Sequence, residues 1–162
     1  MDLRDVFIAN LRELLDVEQQ LAHRVLPELL EQTTETRFRE ALAEHLEQTH
    51  QHVLNVHGVF ECFDAEPEAT KSWGLEGLRR QHDELVVHIG RPELRDIFNA
   101  ASAAHTEHYE ISAYHSLITT AAMLGEPEAV RRLELNLHDE EEALAKLEKS
   151  IPERLSLQLA KA

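Results

Sequence analysis

The chain has 162 residues, 43% of them apolar, and its 31 acidic against 16 basic side chains give a formal net charge of −15. That length can bury a core without covalent staples. The charge argues against nucleic acid, whose phosphates call for clustered Lys and Arg, and against an anionic membrane surface.

A lone cysteine, Cys62, leaves no intrachain disulfide to form and suits a reducing compartment. The opening MDLRDVFIANLRELLD is broken by charges every few residues, unlike a secretion signal. No apolar run approaches the ~18 residues that a membrane span needs. A cytoplasmic protein is expected, with neither membrane nor nucleic acid as a partner.

Five glycines and five prolines leave few places to turn, so long helices with short connections are expected. The first predicted helix covers about 3–32, and Thr33 or Thr34 reads as the cap of the next. The second covers about 35–63 and stops at the turn cluster Asp64-Ala65-Glu66-Pro67. A shorter amphipathic helix, about 72–89, leads to Gly90-Arg91-Pro92, and that proline opens a third long helix over 92–124. Gly125-Glu126-Pro127 reverses the chain into a fourth, 127–149, after which Ser150-Ile151-Pro152-Glu153 reads as the cap of a short tail helix. No strand-type alternation competes, and no repeat of ~20 to 50 residues recurs. The short loops force antiparallel neighbours, and one long crossover separates the two hairpins. The expectation is an all-α, ferritin-like antiparallel four-helix bundle, with a short extra helix in the crossover and one domain over 1–162.

Core-facing stripes in a bundle repeat at spacings of three and four. In the first helix this stripe reads Phe7, Leu11, Leu14, Glu18, Leu21, Val25. In the third it reads Ile97, Ala100, Ala104, Glu107, Ile111, Tyr114, Ile118, and in the fourth Val130, Leu133, Leu137, Glu140, Leu144, Leu147. Each is apolar apart from a mid-length glutamate and, in the third, a tyrosine. The second helix is less regular. It carries HLEQTHQHVLNVH, four histidines between His45 and His57, and its stripe reads Leu46, His50, Val53, His57, Phe60 with Glu47 beside His50.

In an antiparallel bundle the helix centres share one level, so these side chains should converge. Burying an unpaired carboxylate costs several kcal/mol, by order of magnitude. No seam lysine or arginine offsets four of them, whereas two divalent cations bridged by carboxylates and ligated by imidazole would. Glutamates from two helices with a Glu-x-x-His motif are the donors of dinuclear carboxylate bundles. The candidate ligands are Glu18, Glu47, His50, Glu107 and Glu140, with Glu110 one turn from Glu107 as a ligand or its neighbour. His23, His45, His52, His82, His88 and His138 are expected in solvent, and His57, His108 and His115 on or near inward stripes. Tyr109, Tyr114 and Trp73 read as packing residues.

The motifs DVFI at Asp5–Ile8, VEQQL at Val17–Leu21, HLEQTH at His45–His50, EHYEISAY at Glu107–Tyr114 and LHDEE at Leu137–Glu141 resemble the YciE/YciF-type stress proteins. The resemblance runs from Asp5 to about Leu147. It implies a four-helix bundle with a dinuclear metal site, often a dimer, and it carries to Glu18, Glu47, His50, Glu107, Glu110 and Glu140. The chain departs from that family in having Leu15 where a tyrosine is common and Leu144 where an aspartate is. Ala143, three residues after Glu140, supplies no second histidine. The leading expectation is a stress-type protein holding two divalent ions, iron or manganese with zinc as the alternative. It would oxidise Fe(II) or remove peroxide or oxygen. The rival is a metal-free helical scaffold for interactions. A homodimer through the crossover helix, by way of Leu78 or Leu85, is also expected.

Overall fold

The computed structural model describes residues 1–160, and its elements are all helices. α1 (Leu3–Gln20) starts at a capping box, in which the Asp2 carboxylate accepts from the Asp5 N–H at 2.8 Å and the Asp5 carboxylate accepts from the Asp2 N–H at 3.0 Å. It continues through a π-helical turn, Leu21–Val25, into α2 (Leu26–Gln32). Pro27 explains that wider turn: its ring crowds the carbonyl four residues back and it has no N–H to give. The Leu26 N–H bonds instead to Leu21 O, five residues back.

α3 (Thr36–Cys62) follows a short loop pinned by Asp96 of α5 (Pro92–Leu124). The buried Asp96 carboxylate accepts from the Thr34 hydroxyl at 2.6 Å, the Glu35 N–H at 2.9 Å and the Thr34 N–H at 3.1 Å. α4 (Trp73–Val86) is capped by Ser72 and lies against α5. Gly125 takes the left-handed conformation, φ 80°, that ends α5 and admits a tight reversal into α6 (Pro127–Leu159).

The expected stop near residue 149 does not occur, because α6 continues through Pro152. Ser150 turns its hydroxyl back to Leu147 O at 2.9 Å rather than capping a new helix. Beyond the proline, Arg154 lies 4.8 Å over the Phe38 ring and bonds Glu35 at 2.7 Å. These contacts hold the helix on course where local sequence favours a break.

α1 packs on α3 and α5, and α6 packs on the same two helices from the opposite side. The bundle is a closed ring in which every neighbour runs antiparallel. Its core divides into two apolar clusters. One gathers Phe7, Leu11, Val59, Phe60, Leu117 and Leu133, and the other Leu26, Phe38, Leu42, Leu75, Ala100 and Leu147. The crossover carries the chain from the first end to the second and adds Leu75 of α4 to the second cluster. Trp73, Leu85 and Val87 face outward. No helix among the described residues is long and apolar enough to cross a membrane.

Candidate metal centre

Between the two clusters the core turns polar. Glu18, His45, Thr49, His52, Glu107, Glu110, Asn136 and Glu140 are all buried there, contributed by all four long helices. Glu18, Glu107 and Glu140 hold the stripe positions expected of them, and Glu110 follows one turn after Glu107.

On α3 the inward stripe differs from the expected one. It runs Phe38, Leu42, His45, Thr49, His52, Val56, Val59, all buried. Glu47 and His50 project from the outer face, where the His50 ring stands 5.6 Å from that of His23. The structure therefore does not bring Glu47 and His50 to the centre. It brings His45 and His52, which had been expected in solvent. The reason is periodicity: unbroken spacing of four and three joins Phe38 to Val59 through the two histidines, whereas the stripe through Leu46 and His50 begins only at Leu46. That spacing was the available signal. His108 and His115, expected near inward stripes, are exposed, and His57 is half-buried.

Glu140 sits in the middle. Its Oε1 lies 2.9 Å from His52 Nδ1 and its Oε2 3.4 Å from His45 Nε2. His52 Nδ1 is also 3.5 Å from Glu18 Oε2, and His45 Nε2 is 3.3 Å from Glu107 Oε1. Two triads result, Glu18–His52–Glu140 and His45–Glu107–Glu140, each with donor atoms within 4.8 Å of one another and sharing Glu140. The far nitrogen of His52 meets Asp139 Oδ2 at 3.2 Å, which fixes the ring orientation. The Tyr114 hydroxyl donates to Glu18, and Asn136 donates to the Tyr114 oxygen at 2.9 Å and to His52 O at 3.2 Å.

Glu110 is different. Its side chain is fully buried and neither oxygen has a hydrogen-bond partner. Burial first, then the charges of Glu140, Glu18 and Glu107, push its carboxyl well above the ordinary range. Burial and Glu107 likewise raise Glu140 to about 8, against the pull of His52. Burial disfavours charge on both histidines, but Glu107 lifts His45 to about 9, and Glu140 with Glu18 lifts His52 to about 11. Burial also opposes ionisation of Glu107, yet His45 holds its carboxyl below the ordinary value. The ring–carboxylate pairs are near enough to attract but poorly aligned. Among the described residues, Glu18 Oε2, Glu107 Oε2, both Glu140 oxygens, His52 Nδ1 and both His45 nitrogens have no hydrogen-bond partner, as with Glu110. Buried polar atoms are rarely left so. Two imidazoles and three carboxylates, unsaturated and converging in two triads, form a donor set that could hold metal ions, and the Glu110 carboxyl lies close enough to feel the charges of Glu140, Glu18 and Glu107.

Fold and site together define an antiparallel helical bundle with a histidine–carboxylate layer at mid-height. The chain belongs to the family described as a domain of unknown function, DUF892, whose model matches residues 2–160. It is 32% identical over 146 residues to Protein YciF of Escherichia coli (strain K12), covering 90% of this chain and 87% of that one. The crystal structure of the E. coli stress protein YciF superposes with a TM-score of 0.89 at 30% identity, covering 96% of this chain and 98% of that one. A second solved structure, YcfI from Rhodopseudomonas palustris, described as a putative structural protein, gives 0.88 at 32% identity over 91% and 94% of the two chains. The YciF-type membership expected from the motifs is thus shown.

Proposed function

We propose that this chain is a metal-binding ferritin-like protein of stress-response type that holds two divalent ions, iron or manganese, in the mid-bundle layer. The ligands in this reading are Glu18 and His52 on one side, His45 and Glu107 on the other, Glu140 between them, and Glu110. Glu110 carries the reading, because a fully buried carboxyl with both oxygens unpartnered needs a cation or a proton. Bound ions would supply Lewis-acid and redox chemistry, with oxidation of Fe(II) or removal of peroxide or oxygen as the reactions. The chain's own residues orient and neutralise: Asp139 aims His52, Tyr114 and Asn136 brace Glu18, and apolar clusters flank the layer above and below. The reading includes a cytoplasmic homodimer that joins through the outward face of α4.

The test is metal analysis of protein purified without chelator, followed by anaerobic calorimetric titration with Fe(II) and Mn(II). About two ions per chain are expected. Saturation with none would favour a second reading, a metal-free scaffold. One observation supports that alternative: His45 and His52, charged at neutral pH, already face Glu18, Glu107 and Glu140.

A further inference from the structure

A cavity of about 240 Å³ opens between α3, α5 and α6, toward the end of the bundle where α3 begins. A water needs only ~10–15 Å³ of such space, so the cavity has room for an organic molecule. Its walls include Phe38 and Leu42 of α3, Ala103 of α5, and Ala143 and Leu147 of α6. Three of the lining side chains, Ala41, Ala103 and Ala143, are small, which leaves room between the helices.

Its two ends differ chemically. At the mouth stand Arg37, Lys146 and Arg154. Arg154 is engaged by Glu35 at 2.7 Å and Lys146 by Glu44 at 3.0 Å. Arg37 forms no ion pair among the described residues. At the inner end are His45 and Glu107. The His45 side chain is only 7% exposed, and neither ring nitrogen has a hydrogen-bond partner. From Arg37 to His45 the cavity follows about two turns of α3, roughly 12 Å.

We propose that this cavity binds an amphipathic organic monoanion, a carboxylate with a slender apolar body. Its charged head sits at the Arg37, Lys146 and Arg154 rim, and its body lies along Phe38, Leu42 and Leu147, stopping short of His45 and Glu107. One unpaired cation at the rim suits a single negative charge, and the apolar walls account for the rest of the molecule. The site does not depend on the metal reading, since cavity and rim belong to the chain itself.

The experiment is calorimetric titration of chelator-treated protein with octanoate, with butyrate as the short control and octylammonium as the charge-reversed one. Octanoate should bind at one site per chain while butyrate and octylammonium do not. Arg37→Glu should weaken octanoate binding on the order of tenfold, and Ala143→Phe should abolish it by filling the cavity. Neither variant should change the number of Mn(II) ions bound. Failure of octanoate to bind, equal binding of octylammonium, or indifference to Arg37→Glu overturns the proposal. Should Ala143→Phe lose its helical circular dichroism, Arg37→Glu and Lys146→Glu at the exposed rim decide the question alone. Octanoate binding without Mn(II) uptake would sink the metal centre and leave the cavity standing, and the converse would sink the cavity alone.

Discussion

Replacing Glu110 with leucine tests the central physical claim, that the bundle carries a carboxyl its own core does not satisfy. The side chain is 0% exposed and both oxygens are unpartnered. Without metal, removing such a buried polar group should stabilise the fold by about 1–3 kcal/mol, the cost of leaving it unsatisfied. A proton term adds to this. The folded-state pKa is raised by burial and by Glu140, Glu18 and Glu107. The stability this group contributes is therefore present below its unfolded value and lost as pH rises toward the folded one. The wild type accordingly loses up to ~1.4 kcal/mol per pH unit relative to Glu110→Leu across that window. For a chain of this size each kcal/mol moves Tm by about 2–4 °C. In chelator, followed by circular dichroism, Glu110→Leu should melt about 3–10 °C above wild type at pH 7, and the gap should narrow toward pH 5. The same variant should take up fewer Mn(II) ions. A variant less stable than wild type in chelator, or a gap that does not narrow, would mean that Glu110 has a partner after all. Glu140→Leu is the counter-case. It removes the carboxyl that His45 and His52 share but leaves Glu107 to His45 and Glu18 and Asp139 to His52, so in chelator it should stabilise less than Glu110→Leu or not at all.

The metal-free protein as a whole should lose stability as pH rises from about 5 to 9, because Glu140, His45 and His52 all have raised folded-state pKa values, about 8, 9 and 11. The opposite contribution of Glu107, whose pKa is lowered, is confined to more acidic solution. Thermal melts across that range check the sign, and a flat profile would refute the buried cluster. Asp96→Ala strands the Thr34 and Glu35 N–H groups and should cost about 2–4 kcal/mol, read as a lower urea midpoint. The proposed dimer predicts that Leu78→Glu with Leu85→Glu shifts the light-scattering mass from dimer to monomer with metal content unchanged. A wild type already monomeric at micromolar concentration would refute that interface.

The helices and their order were legible because the breakers are chemically plain: Pro92, Gly125 and Pro127 sit at the ends they mark. Ser150-Ile151-Pro152 misled because its local preference for a break is overridden from a distance, by Arg154 on Phe38 and Glu35. The π-helical turn at Leu21–Val25 left no pattern of its own beyond Pro27. In the site, Glu18, Glu107 and Glu140 stood out as lone acids in apolar stripes. The α3 stripe did not, because its centre is polar three times running, at His45, Thr49 and His52. A hydrophobic pattern fades where the core itself becomes polar, and the Glu47–His50 pair then offered a familiar spacing on the wrong face. Spacing carried inward from Phe38 and back from Val59 recovers the right one.

The departures from the family's motifs become coherent when taken together. Leu15 is buried in the apolar cluster, and the only tyrosine hydroxyl meeting Glu18 among the described residues comes from Tyr114 on α5. Leu144 packs against the other cluster, where an aspartate would bring one more charge to a layer that already holds four carboxylates. Ala143 offers no ligand, but both histidines already come from one face of α3, seven residues and so about two helical turns apart. A histidine at 143 would add a third ring on the side where Ala143 now lines the 240 Å³ cavity. Both triads draw their nitrogen from α3, so any shift of that helix along the bundle moves His45 and His52 together and alters both sides of the layer at once. The Asp96 clasp on the residues just before α3 fixes the position of that helix relative to α5, which carries Glu107 and Glu110. Asp96→Ala should therefore weaken Mn(II) binding as well as stability, although Asp96 is no ligand. Unchanged Mn(II) affinity in a folded Asp96→Ala variant would show that the layer holds its geometry without the clasp.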